Sequence, residues 1–318
     1  MNRTPLRRGA ALASVAISLT FALAACGGQQ GSAGEGLSGA VKIDGSSTVE
    51  PLSSAASELF SEEQPQVQVT VGASGTSGGF EVFCAGKTDI SDASRTIESN
   101  EVKACKEGGI KYTPMQVAND AVTIAVNKNV PIDCITTEQL HKIWAPESQG
   151  KITNWKQVDP SFPDMPLKLF GPGTDSGTFD FFTEEINGEE GASRSDYEAS
   201  EDDNVLVQGV ANTPGSLGYF GYTYYEENAD KLKALAVDSG DGCVKPSPET
   251  AQSGEYDPLS RPLYVYVNDE SYDKKPQVAA YVDFYIDNLT KITEAAKFIQ
   301  MSESQMQETM QTHKSLAG

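Results

Sequence analysis

The run Ala40-Val41-Lys42-Ile43-Asp44-Gly45-Ser46-Ser47-Thr48-Val49-Glu50-Pro51-Leu52 is the first instance of a pattern that sets the fold class. Ala40–Ile43 alternates apolar and polar side chains, as a short half-buried strand does. The chain then turns through Gly and hydroxyl residues. Ser47 or Thr48 suits a helix N-cap and Pro51 lies within the first turn. Leu52, Ala55, Ala56, Leu59 and Phe60 form one apolar helical face. The same order recurs twice. Val67–Val71 reads as a strand, and Gly72 to Gly79 leads into a helix through Phe80, Val82 and Phe83. Leu167–Phe170 delivers Gly171-Pro172-Gly173-Thr174-Asp175-Ser176-Gly177-Thr178 and a Phe-rich helix.

Between and after these units the alternation continues. Strands are expected at 89–91, 117–126, 217–220 and 263–267. Helices are expected around 98–106, from Thr136, at 203–210 and over most of 276–310. Strands alternating with helices imply α/β layers with largely parallel sheets. The length of 318 residues suggests two domains, and no solenoid repeat is visible. Lys plus Arg number 24 against 45 Asp plus Glu, for a net charge of -21. That balance argues against nucleic acid, whose phosphate backbone is gripped by clustered cations. Any anion must therefore be captured by local donors.

The three turns supply such donors. The first turn of a helix leaves N–H groups unpaired and carries roughly half a positive charge. Glycines let the backbone approach closely, and hydroxyls add neutral donors, so such ends bind oxyanions. One would be an ordinary cap; three in one chain could converge on one tetrahedral anion. Asp92-Ala93-Ser94-Arg95 adds a charge of each sign. A carboxylate at Asp92 suits an anion that keeps a proton to donate. Phosphate at neutral pH does and sulfate does not, so sulfate would leave the carboxylate repelled and unpaired. From spacing alone, Asp92 could equally be a loop carboxylate paired with Arg95 or capping a helix.

Other chemistries fit less well. Gly75-Thr76-Ser77-Gly78-Gly79 matches the G-x-S-x-G of a serine hydrolase, which also needs a base. His141 and His313 are the only histidines, and neither lies in a motif. No His-rich metal set and no G-x-x-x-x-G-K-[ST] occurs, and the loop at Gly171 lacks dinucleotide spacing. No cofactor and no metal are expected. The Tyr219–Tyr225 aromatics, Trp144 and Trp155 read as core packing, and Glu201-Asp202-Asp203 as a solvated helix start.

Taken together, Asp44-Gly45-Ser46-Ser47-Thr48-Val49, the run Ser74 to Phe80, Ile90-Ser91-Asp92-Ala93-Ser94-Arg95, the run Gly171 to Phe179, Asn212 to Tyr219 and Pro258-Leu259-Ser260-Arg261-Pro262-Leu263 resemble, in order, the phosphate-binding lipoproteins of the high-affinity phosphate ABC importer. The resemblance implies a two-lobe periplasmic-binding-protein-like fold of type II, hinged by two crossing strands. It implies a receptor that binds inorganic phosphate in the cleft and hands it to permease subunits, without catalysis. The alternatives are a serine-nucleophile hydrolase or a receptor for another oxyanion such as sulfate. Position by position, the resemblance assigns to phosphate Ser47, Thr48 and the Val49 backbone; Ser74, Thr76 and Ser77; Asp92 as proton acceptor; and Ser176, Gly177 and Thr178. Members of the family place an Arg four residues before the third turn's Ser, where this chain has Pro172. Arg95 is the expected replacement cation, with Arg194 as second choice.

Residues 1–25 read as an export signal, with Arg3, Arg7 and Arg8 ahead of an apolar stretch. Leu23-Ala24-Ala25-Cys26-Gly27 resembles a lipobox, which makes Cys26 the lipidated mature N-terminus. Losing residues 1–25 removes three Arg and no acidic residue, taking the charge from -21 to -24. Residues 26–39 are a flexible tether with a reach of roughly 20 Å. Lobe 1 is expected at 40–116 plus 262–318 and lobe 2 at 117–261, with hinges near 114–122 and 256–264. Four cysteines remain: Cys84, Cys105, Cys134 and Cys243. Spacing alone allows three pairings; Cys84–Cys105 and Cys134–Cys243 are expected, because each then lies within one lobe. The chain is thus expected on the cell membrane, lipid-anchored on the extracytoplasmic face, as a monomer.

Overall fold

The computed structural model describes residues 36–318. The signal sequence, Cys26 and most of the tether lie outside the described residues. One mixed sheet runs through the protein. Its strands lie in the order Val67–Val71, Gly39–Gly45, Ile90–Ala93, Ser260–Asn268, Tyr112–Asn127, Ser216–Gly221, Lys168–Gly171 and Glu198–Ala199, and Leu232–Ala234 pairs with the long strand as well. The outer strands of each half pair in parallel, as helix crossovers require. The two central strands run antiparallel to their neighbours, so the sheet is mixed where a largely parallel one was expected.

The long strand Tyr112–Asn127 makes the fold two-lobed. Its first half supplies Val117 and Ala118 to one core, with Val41, Leu52, Phe60, Leu263 and Tyr281. Its second half supplies Val122, Ile124 and Val126 to another, with Trp144, Trp155, Phe182 and Tyr219. Ser260–Asn268 lies antiparallel beside it, and Asn119 to Ala121 face Pro262 to Ser260 where the chain passes between the cores. Of the expected aromatic core residues, Trp144, Trp155, Tyr219 and Phe220 are fully buried and Tyr222 is buried, whereas Tyr224 and Tyr225 are half-buried.

Two features were not expected. The helical run after Pro276 is broken: helices Pro276–Asp287, Leu289–Ala295 and Glu303–Ala317 flank a segment that makes a third link between the lobes. There Ile299 bridges to Asn119 and enters the second core, while Met301 returns to the first. A small second sheet joins Cys134–Thr136, Ala236–Asp238 and Cys243–Val244. Its strands are too short to show a period. Cys134 bonds to Cys243 across this sheet, and Cys84 bonds to Cys105, the pairings expected.

Candidate functional site

Three helices begin at the cleft between the lobes. Glu50–Glu63 carries Pro51 in its first turn and has no side-chain cap. Thr76–Cys84 likewise has none, which leaves its leading N–H groups to the cleft. Gly177–Asn187 is capped by Ser176, whose Oγ accepts from the Thr178 N–H at 3.2 Å. Two glycines permit this convergence. A Cβ on Gly79 would lie 2.4 Å from the Gly45 Cα, so the second helix sits directly on the first strand. A Cβ on Gly177 would lie 2.6 Å from the Thr48 nitrogen, so the first and third helix starts meet across the cleft.

The cleft has a volume of about 630 Å³. Of the expected residues, Ser47, Thr48, Ser74, Thr76, Ser77, Arg95 and Gly177 line it. Its hydroxyls tie the lobes together: Ser47 Oγ donates to Asp180 Oδ2 at 3.3 Å, and Thr48 Oγ1 donates to the Gly177 carbonyl at 3.2 Å. Thr76 Oγ1 lies 3.1 Å from Ser94 Oγ. Ser176 and Thr178 flank Gly177 without lining the cleft. Val49 is fully buried and its N–H already donates to the Ser46 carbonyl at 3.1 Å, so the backbone donor expected there is occupied.

Asp92 lies beneath the first turn rather than on the cleft wall. Its carbonyl accepts from the Ser46 N–H at 2.9 Å. Its side chain is fully buried; Oδ1 accepts from Ser53 Oγ at 3.0 Å, and Oδ2 has no partner. Burial, opposed by the Ser53 bond and aided by Glu50 and Asp44, pushes its pKa up to about 8. It does not pair with Arg95.

The cations differ from expectation. Arg95 Nη1 and Nη2 each donate to Glu101 at 2.9 Å, Nη2 also donates to Ser77 Oγ at 2.8 Å, and Nε lies 3.4 Å from Glu98. One positive charge thus faces two negative ones, and Arg95 orients Ser77. Arg194 is held inside the second lobe by Asp196 and by the Ile143 and Ile152 carbonyls, away from the cleft. Sequence reasoning missed Arg261, which lines the cleft and donates to Thr48 Oγ1 at 2.6 Å. A lone Arg before Pro262 in an otherwise apolar strand was the available signal.

The rim is acidic, with Asp180, Glu184, Glu185, Glu190 and Asp257. Desolvation raises the Asp180 and Glu185 carboxyls, and neighbouring Glu190 and Glu184 add to it. The Asp203 carboxyl is also pushed up, to about 7, mainly by burial, so this helix start is less solvated than expected. Ser77 has Arg95, a donor, as its partner. His141 contacts the Ile186 carbonyl, and His313, on a helix packed beside Asp283, lies 2.7 Å from that carboxylate. Neither histidine is placed to act as a base on Ser77.

A family model described as a PBP superfamily domain matches residues 30–288. Protein SphX of Synechococcus elongatus is 49% identical over 260 residues, covering 81% of this chain and 77% of its own. The phosphate-binding protein PstS of Staphylococcus saprophyticus is 41% identical over 289 residues, covering 90% and 88%. The chain belongs to the PstS family of phosphate-binding proteins. A crystal structure of a possible phosphate-binding protein from Planctomyces limnophilus matches with a TM-score of 0.84 at 44% identity, covering 89% of this chain and all of that one.

Proposed function

We propose that this protein is an extracytoplasmic receptor that encloses inorganic phosphate between its lobes and releases it to the permease of an ABC importer. The single observation that carries the reading is the meeting of hydroxyl-lined helix starts from both lobes at one cleft, the two of the first lobe without a side-chain cap, with a buried carboxyl beneath the first turn whose Oδ2 has no partner. Ser47, Thr48, Ser74, Thr76, Ser77 and, from the turn Ser176–Thr178, Gly177 would donate to the anion, and Asp92 would accept the proton that phosphate retains. No bond is made or broken. Relatives named for phosphate binding support the same ligand.

The lobes, expected at 40–116 plus 262–318 and 117–261 but with Val117 and Ala118 packed in the first core, would open and close about the crossings near 114–122 and 256–264. Among the described residues no helix is long and apolar enough to cross a membrane. Membrane attachment would come from lipid on Cys26, with the protein a monomer. Cys26→Ser should then release it from membranes; unchanged partitioning refutes the anchor. Calorimetric titration with phosphate, sulfate and a phosphate monoester, carried out above the pH of about 8 at which Asp92 ionises, tests the function: one site per chain filled by phosphate, with sulfate far weaker, is expected. No heat with phosphate refutes it, and equal binding of sulfate makes this a general oxyanion receptor.

A further inference from the structure

Arg261 sits where the lobes meet. It is the cross-strand partner of Asp120, at the point where the two central strands pass between the cores. Its Nε lies 3.4 Å from Asp120 Oδ2. Its Nη2 donates to Thr48 Oγ1 of one lobe and lies 3.5 Å from the Gly177 carbonyl of the other. The guanidinium lies 3.7 Å over the Phe181 ring, which fixes its plane, and the side chain is only 13% exposed. Nη1 has no hydrogen-bond partner among the described residues.

The contrast with Arg95 is in donors. The Arg95 fork is filled by Glu101, with Glu98 beside it. Arg261 hydrogen-bonds one carboxylate, through Nε alone, and the rim carboxylates Glu184 and Glu185 act on it only at longer range, which leaves the Nη edge turned to the cleft. Burial works against its charge, and Asp120, with Glu184 and Glu185 behind it, sustains it. A guanidinium placed this way, desolvated and pre-oriented, is a strong forked donor to an oxyanion.

We propose that Arg261 supplies the positive charge that neutralises the bound anion, and that Asp120 is the positioning residue that holds it. The assignment rests on the phosphate reading of the cleft. Because Arg261 grows from the hinge strand and touches both helix starts, charge neutralisation and closure are one event. A hinge cation thereby replaces the arginine whose place in the third turn is taken by Pro172.

The test is calorimetric titration of phosphate into the full-length protein and its variants, below and above the pH at which the ligand passes from monoanion to dianion. Arg261→Met is expected to lose on the order of 100-fold in affinity for the dianion and less for the monoanion. A purely structural role would lower both alike. If Arg261→Met does not fold, Arg261→Gln, which keeps polar contact with Asp120 and Thr48, gives the same reading. Asp120→Asn should lose about tenfold, and Asp120→Glu should recover part of it. Arg95→Met should lose less than Arg261→Met. A folded Arg261 variant that binds the dianion like wild type, an equal loss at both pH values, or a larger loss at Arg95 overturns the assignment. Wild-type affinity in Asp120→Asn overturns the positioning role. A wild-type protein that takes up no phosphate overturns the reading of the cleft, and this assignment with it.

Discussion

Selectivity for phosphate over sulfate should depend on pH through Asp92, and the direction follows from its burial. The carboxyl is fully buried, with Ser53 on one oxygen and nothing on the other, and its pKa stands at about 8 instead of 3.8. Below about pH 8 the ligand-free site holds a proton on Asp92 and can donate it to sulfate as readily as to phosphate. Above that pH Asp92 is a carboxylate. The phosphate dianion brings its own proton and binds without taking one up. Sulfate must recruit a proton, so its affinity falls about tenfold for each further pH unit. Between pH 8 and about pH 9.5 the phosphate-to-sulfate ratio should widen about 30-fold. Competition calorimetry at constant ionic strength reads this directly. Asp92→Asn should bind phosphate more weakly, by roughly 10–100-fold for a lost charge-assisted bond, and show a flat ratio. A wild-type ratio that stays constant from pH 8 upward, or an Asp92→Asn ratio that still climbs, refutes the reasoning. The ligand-free protein carries a second signature. A folded-state pKa raised from 3.8 to about 8 stabilises least where Asp92 must ionise. Stability is therefore lost as pH rises from about 4 to about 8, on the order of 5 kcal/mol, and Asp92→Asn removes that loss.

The close approach at Gly177 predicts that Gly177→Ala holds the lobes apart, since its Cβ would fall 2.6 Å from the Thr48 nitrogen. Phosphate affinity should drop at least about tenfold while the thermal transition moves little, because no core atom is removed; calorimetry and a melting curve together check it. The acidic rim and negative charge predict that salt speeds phosphate association, as screening shortens repulsion from about 30 Å at 0.01 M to about 8 Å at 0.15 M. Stopped-flow rates that fall with salt would contradict this. Removing Cys134–Cys243, whose cysteines are 109 residues apart, should destabilise the protein by about 4–5 kcal/mol, and removing Cys84–Cys105, 21 apart, by about 3 kcal/mol, measured by chemical unfolding.

What could be read from the chain was local. Strand, turn and helix start at Ser46–Thr48 and Ser74–Gly79 are contiguous, so Gly and hydroxyl residues announce them without reference to anything distant. Arg261 is the opposite case. Its partner Asp120 lies 141 residues away, and its meaning comes from strand register alone. The acidic partners of Arg95 went unread although Glu98 and Glu101 follow at three and six residues, a spacing that a helix start folds back onto the arginine. The link at Ile299 hid inside a run of helical composition, because one residue in each core leaves no period. The antiparallel pairing of the central strands likewise comes from the chain's return path, which composition does not encode.

The most direct test of a phosphate site between helix starts is a crystal structure of the protein with phosphate. One tetrahedral anion is expected between Thr48, Ser77 and Gly177, within hydrogen-bond distance of donors from both lobes and of Asp92 Oδ2. Phosphate bound to one lobe alone, or on another surface with the cleft empty, would contradict it.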